Sequence, residues 1–208
     1  MLIHDCEQGT PEWDNLRASR PTSSEFSSLV TGEGKPSTSL KKYALKLATE
    51  KFLGGPIDDG FQGNKFTDRG HELEDTARAN YEMENQIRVQ NVGFCTDDLM
   101  RYGSSTDGFI GDDGIFETKN LISTVMFETM VYLKRNDGKL PPKYRPQLEG
   151  ELLVTERKWV DLVLFNPAFE MITIRVYPDP AYQELLKKQI TACILERDKL
   201  FEIVNGEK

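Results

Sequence analysis

Asp107, Glu117 and Lys119 stand close together in the stretch GSSTDGFIGDDGIFETKN, residues 103–120. Two carboxylates and an ammonium in so short a span can do chemistry together. Glu117 and Lys119 are separated by one residue, and side chains two apart in a strand share a face. Ile115, Glu117 and Lys119 are therefore expected to point the same way. Asp107 falls at the end of the preceding strand, across a hairpin whose turn is GDDG. Hard oxygen anions of this kind suit Mg²⁺, which takes one or two carboxylates and completes its octahedron with water and phosphate oxygens. A lysine beside such an ion can orient an attacking water and favour its deprotonated form. The set suits hydrolysis of a phosphodiester. It also suits a solvated hairpin tip, because Glu-x-Lys is a common tripeptide. Asp112 and Asp113, flanked by Gly111 and Gly114, read as turn residues.

Four further residues bear on the choice. Gln147, in RPQLEGELLV, opens a helix, and a buried amide there could hold a water or a phosphate oxygen. Glu74, in RGHELEDTAR, lies on the helix before the sheet and could bring a third carboxylate to a metal shell, or be a plain surface acid. Thr22 followed by Glu25 reads as a capping box. That places Ser24 in the first turn of a short helix, where unpaired N–H groups and the helix dipole favour an anion. Arg17 could grip the same anion bidentately, or pair with Asp14 or Glu25. Glu128 and Glu149 read as solvated helix-face charges.

These residues need elements to hold them. Thr10-Pro11 starts one short helix and the capping box a second, from Ser23 to Val30. Ser39 caps a helix from Leu40 to Leu53 that stops at Gly54-Gly55-Pro56. After a Gly/Asp-rich loop, a helix from Thr67 to Glu82 sets Leu73, Ala77 and Tyr81 on one face. The period then changes: IRVQNVGFC alternates as one strand, and RYGSSTD and GIFETKN read as a hairpin. TVMFETMVYLK and YRPQLEGELLVT read as helices, WVDLVLFN and MITIRVY as strands, and Pro180 to Val204 as a closing helix. The order predicts an α/β or α+β fold with a mixed sheet at its centre and helices around it.

The chain has 208 residues, enough for one domain with a real core. No apolar run is long enough to span a bilayer. The N-terminus MLIHDCEQGTPEW lacks the basic and apolar regions of a signal peptide. Cys6, Cys95 and Cys193 are far apart and odd in number, which fits reduced thiols in a cytoplasm and no CxxC zinc site. A net charge of −8 argues, taken alone, against a nucleic-acid partner. The charge is uneven, however: residues 35–51 hold five lysines and one glutamate. Local charge decides where a polyanion can sit.

Taken in order, these blocks resemble the phage lambda exonuclease (YqaJ-like) family of viral recombination nucleases, within the restriction-endonuclease-like PD-(D/E)xK superfamily. EWDNLRASRPTSSEF is similar to its W-x-x-x-R…T-x-S-E block, and RGHELEDTAR to its G-x-x-x-E-x-x-A helix. GSSTDGFIGDDGIFETK resembles the S-x-D-G…E-x-K core, YRPQLEGELLVT the glutamine-bearing helix, and WVDLVLFNP the strand that follows. Pro21 departs from the small or aliphatic residue often found there. The likeness runs from about residue 7 to 204.

The resemblance implies a single nuclease domain, with helices in 10–82 binding a DNA end, a core over 86–178 and a closing helix over 180–204. It implies Asp107, Glu117 and the Thr118 carbonyl as ligands of Mg²⁺, with Mn²⁺ as the alternative and two ions per site. Lys119 would activate water, Glu74 support the metal shell and Gln147 place water or substrate. Arg17 and Ser24 would hold a 5′-phosphate. The implied activity is 5′→3′ degradation of linear duplex DNA to 5′-mononucleotides, leaving a 3′ single strand for a phage single-strand annealing protein. A homotrimeric ring, acidic outside, would gather Lys35, Lys41, Lys42, Lys65 and Arg69 in its lumen, with Phe66 as a wedge between terminal base pairs. The setting implied is the cytoplasm of a bacterial host carrying a phage or prophage. A restriction-like endonuclease and a non-catalytic DNA-end-binding recombination protein are the alternatives.

Overall fold

In this computed structural model residues 1–57 and 65–206 are described, the stretch 65–72 by its backbone alone. Among them the elements run β1 (Leu2–His4), α1 (Pro11–Arg17), α2 (Leu40–Leu53), α3 (Lys65–Asn85), β2 (Val89–Gln90), β3 (Phe94–Thr96), β4 (Gly103–Ser104), β5 (Gly108–Ile110), β6 (Gly114–Asn120), α4 (Ser123–Arg135), α5 (Arg145–Thr155), β7 (Trp159–Phe165), β8 (Ile172–Val176) and α6 (Pro180–Asn205). Short 3-10 turns cover Ser23–Ser28 and Pro142–Tyr144. Local signals set several ends. Thr10 caps α1 by accepting the Trp13 N–H at 3.4 Å, with Pro11 in the first turn. Gly54 ends α2 at φ +73, a left-handed conformation that costs glycine nothing.

A five-stranded sheet in the order β2-β5-β6-β7-β8 forms the centre. β6 and β7 are parallel, and the other neighbours are antiparallel. A parallel pair needs a crossover, which α4 and α5 supply. Ile115, Val160, Leu162 and Leu164 bury one face of the sheet against Leu148 and Leu152 of α5 and Met126 of α4. Phe116 and Val163 bury the other face against Tyr81 of α3. Alternation along β6 and β7 thus feeds two cores, and the central strands are covered on both sides. Asp161 sits in the second core at 2% exposure. It accepts two hydrogen bonds from Arg175 at 2.8 Å and one from the Tyr81 hydroxyl, so the buried charge is paired.

α2 and α6 pack together around Phe26, Leu29, Tyr43, Leu47, Leu186 and Ile190. This N- and C-terminal layer meets α5 at Gly150. A Cβ built there would lie 2.3 Å from the Phe26 ring, so only glycine lets the 3-10 turn sit against the helix.

The mixed, helix-flanked sheet is the fold class expected from the sequence. Four local expectations need correction. IRVQNVGFC is not one strand: β2 joins the large sheet, and β3 joins a small sheet ordered β1-β3-β4. The break falls at Asn91–Gly93, where a Cβ on Gly93 would lie 2.3 Å from the His4 carbonyl oxygen. RYGSSTD is not the partner of GIFETKN; β4 goes to the small sheet, and GFI of β5 pairs with β6. The Thr22–Glu25 capping box is not formed, and the turn it was expected to open is 3-10 and ends at Ser28. Ser39 occupies the N-cap of α2 but makes no capping side-chain bond. β1 escaped the sequence reading altogether, because three residues are too few to show a period.

Candidate active site

β6 is the strand on which the site is built. Gly108 pairs with Phe116, so Asp107, one residue before β5, falls opposite Glu117. Asp107 Oδ2 accepts the Thr118 N–H at 2.7 Å, which locks the carboxylate against the strand. Lys119 Nζ lies 2.7 Å from Glu117 Oε1. Gln147, on the first turn of α5, donates from Nε2 to Glu117 Oε1 at 2.6 Å and to Glu151 Oε1 at 2.8 Å. Gln147 and Glu151 are one helical turn apart and share a face. The three residues picked from spacing alone are therefore in one place, and the expected glutamine touches Glu117 among them.

The electrostatics are lopsided. Glu117 is 2% and Glu151 0% exposed, and each has one carboxylate oxygen without a hydrogen-bond partner among the described residues. Burial pushes the Asp107 carboxyl well above its ordinary range, and the charges of Glu117 and Glu74 push it further. Burial, then Glu117, does the same to Glu151. Burial works to discharge Lys119, but the charge and hydrogen bond of Glu117, with Asp107 and Glu151 behind them, outweigh it and hold the ammonium above its usual value. The residues present fit a hard divalent cation: an orphaned buried oxygen on Glu117 and an excess of carboxylate charge. Among the described residues no group of three or more His, Cys, Asp or Glu side chains is placed to hold a metal ion. Two carboxylates completed by backbone and solvent oxygen is instead the pattern that suits Mg²⁺.

Glu74 approaches from α3, with Oε1 3.8 Å from Arg78. Arg78 donates to the Asp107 carbonyl at 2.5 Å and to Asn91, so α3 grips the loop that carries Asp107. Glu74, Arg78, Asn91 and Asp107 line a cavity of about 460 Å³. Thr118 spends its hydroxyl on the Val163 carbonyl.

The second cluster surrounds Arg17. Its guanidinium lies 4.1 Å over the Trp13 ring and donates to Ser105 Oγ at 2.9 Å and Ser24 Oγ at 3.2 Å. Trp13 Nε1 also donates to Ser105, at 2.9 Å. The alternative ion pair with Asp14 or Glu25 does not form; Glu25 lies 3.7 Å from Lys46. Burial lowers the Arg17 pKa from a very high value, so the group stays charged among neutral hydroxyls, an arrangement suited to an anion. The loop that presents it is fixed from several sides. Glu50 accepts the Ser19 N–H at 2.7 Å, Arg197 donates to the Ser19 carbonyl at 2.6 Å, and Tyr43 accepts the Thr22 N–H at 3.0 Å. The anion reading of Ser24 thus rests on Arg17 and hydroxyls, since a six-residue 3-10 turn offers little dipole.

Lys46 of α2 lines a cleft of about 230 Å³ together with Arg17. Lys35, Lys41 and Lys42 are exposed and make no described contact with it. The side chains of Lys65, Phe66 and Arg69 lie outside the described residues.

Sequence reasoning missed Glu151, Ser105 and Trp13. Each had a signal: four residues after Gln147, two before Asp107 and four before Arg17. It misjudged Glu149, which is 2% exposed rather than solvated. Both its carboxylate oxygens accept the Asp179 N–H at 3.2 Å, and Arg145 lies 4.0 Å away. Burial raises its pKa from an ordinary 4.5 to about 7 against the pull of those partners. The folded chain then binds a proton more tightly than the unfolded one. Glu149 therefore contributes stability that is full below about pH 4.5 and is lost as pH rises to about 7, up to about 3 kcal/mol. Glu149→Gln is expected to remove that slope and to be the more stable protein above pH 7. Thermal melts between pH 5 and 8 measure this, and parallel curves for both proteins would contradict it.

A helix-flanked mixed sheet that brings Asp107 against Glu117 and Lys119 of its central strand, with the half-buried Gln147 amide beside them, defines the class: an α+β protein. Residues 12–158 match the model of the YqaJ-like viral recombinase domain, and the chain belongs to that family. Its fold is similar to the crystal structure of an alkaline exonuclease, LHK-Exo, from Laribacter hongkongensis: TM-score 0.81 at 26% identity, over 95% of this chain and 97% of that one. The same enzyme in complex with dAMP gives TM-score 0.81 at 25% identity over the same shares. A phage related exonuclease from Haemophilus somnus 129PT shares the fold at TM-score 0.66 and 16% identity, over 92% and 99% of the chains. The chain matches no curated protein. No described helix is long and apolar enough to cross a membrane, and the three cysteines are free thiols.

Proposed function

We propose that this protein is a metal-dependent exonuclease that degrades linear double-stranded DNA from the 5′ end, releasing 5′-mononucleotides and leaving a 3′ single strand. The observation that carries the reading is the linkage of the two clusters. Ser105, bonded to Arg17, and Asp107, bonded to β6, are separated only by Thr106, a backbone span of at most about 7 Å. A phosphate anchor and a hydrolytic centre at that spacing suit attack beside a strand end. The named activity of the LHK-Exo structures supports the same class.

Asp107, Glu117 and the Thr118 carbonyl would hold Mg²⁺ or Mn²⁺. Bound there, the ion supplies Lewis-acid polarisation of a phosphoryl oxygen and acidifies water. Lys119, kept charged, donates to the attacking water and to developing negative charge, and Gln147 helps place that water. Glu74 supports the shell from α3. Arg17, Ser24 and Ser105 hold the 5′-phosphate. Lys41 and Lys42, exposed on α2, would face DNA in a homotrimeric ring, which reconciles duplex binding with the net charge of −8. A phage single-strand annealing protein takes up the exposed strand.

The test is digestion of linear duplex with and without a 5′-phosphate, alongside closed circular DNA. Rapid loss of the phosphorylated linear substrate from its 5′ ends is the expected result. Attack on closed circles at a comparable rate would overturn the exonuclease reading in favour of an endonuclease.

A further inference from the structure

Glu151 has no place in the scheme above. It is fully buried, its Oε2 has no partner among the described residues, and Gln147 is the only described side chain that donates to it. Its charged neighbours include Glu117 and Asp107 as well as Lys119. A carboxylate so placed weakens a fold, and an apolar residue of similar size would serve stability better. What it does contribute is geometric. The two hydrogens of Gln147 Nε2 have two acceptors, Glu117 Oε1 at 2.6 Å and Glu151 Oε1 at 2.8 Å. With both spoken for, the amide has one orientation, and its carbonyl oxygen is the end left to accept. With Glu117 as the sole acceptor, the second N–H would go unpartnered and the amide plane could rotate about the one remaining bond.

We propose that Glu151 is a positioning residue that fixes the Gln147 amide so that its carbonyl oxygen accepts a hydrogen bond from the attacking water. The proposal rests on the nuclease reading and deepens it. Glu151→Gln keeps an acceptor for Gln147, whereas Glu151→Leu fills the space without one. Glu151→Leu is expected to lose about 10–100-fold in kcat with KM nearly unchanged, as for other residues that orient groups in a site. Its metal-free Tm is expected to rise by about 2 °C or more. Glu151→Gln is expected to keep kcat within about threefold of wild type. A lower Tm with unchanged kcat in Glu151→Leu would mark a structural role and overturn the proposal. So would equal loss in both variants. A wild-type protein that cleaves no DNA would sink the nuclease reading and this proposal with it; a cleaving wild type beside an equally active Glu151→Leu would sink the proposal alone.

Discussion

Lys119→Ala is expected to lose DNA cleavage by roughly 10³-fold in kcat while remaining folded. The side chain is held between demands. It is half-buried, 2.7 Å from Glu117 Oε1, and kept charged by three carboxylates although burial opposes it. A group so firmly protonated serves as a donor to water and to growing phosphoryl charge rather than as a base. Removing it leaves Glu117 Oε1 with Gln147 as its described partner and adds an uncompensated charge to the cluster. A modest fall in Tm should accompany the loss, and circular dichroism should stay native. Asp107→Asn is the companion variant. Asparagine can still accept the Thr118 N–H, so the strand keeps its contact while the cation loses a ligand. Nucleotide release from linear duplex in Mg²⁺ measures both. Wild-type cleavage by Lys119→Ala would end the hydrolytic mechanism described above, whatever the protein binds.

Arg17→Ala is expected to erase preference for a phosphorylated end. A charge-assisted contact contributes about 1.5–3 kcal/mol, so discrimination between phosphorylated and unphosphorylated ends should fall about 10–100-fold. Cleavage of an unphosphorylated end should change little, because Arg17 contacts Ser105, Ser24 and the Trp13 ring rather than the carboxylate cluster. The ratio of rates on the two ends is the readout. Equal loss on both would show that Arg17 acts through the fold. Ser24→Ala offers a gentler version, since one hydroxyl is lost and Ser105 keeps Arg17 in place.

The two variants address residues whose identities were legible before any fold was known, and the reasons are local. Strand alternation put Glu117 and Lys119 on one face, and the glycine-flanked GDDG turn placed Asp107 across from them. The helix ends at Thr10 and Gly54 were legible for the same reason, since caps are written in neighbouring residues. Ser39 and Thr22 show the limit. Their types suit caps, yet neither makes the bond, and the Thr22 N–H goes instead to the Tyr43 hydroxyl, a residue 21 positions away.

By itself, then, the sequence determined the class of fold, the carboxylate–lysine set on β6 and the candidate anion residue Arg17. Only the tertiary structure decided which strand pairs with β6, that Ser105 joins the two clusters, that Glu149 is buried and that Glu151 completes the grip on Gln147. Periodicity and capping depend on residues a few positions apart, which a sequence displays directly. Burial and partnership depend on segments 30 to 98 residues apart meeting in space, as Glu117 meets Gln147 and Gln8 meets the Thr106 carbonyl. A carboxylate on a helix reads the same whether its outward neighbour is water or another strand, and packing alone tells them apart.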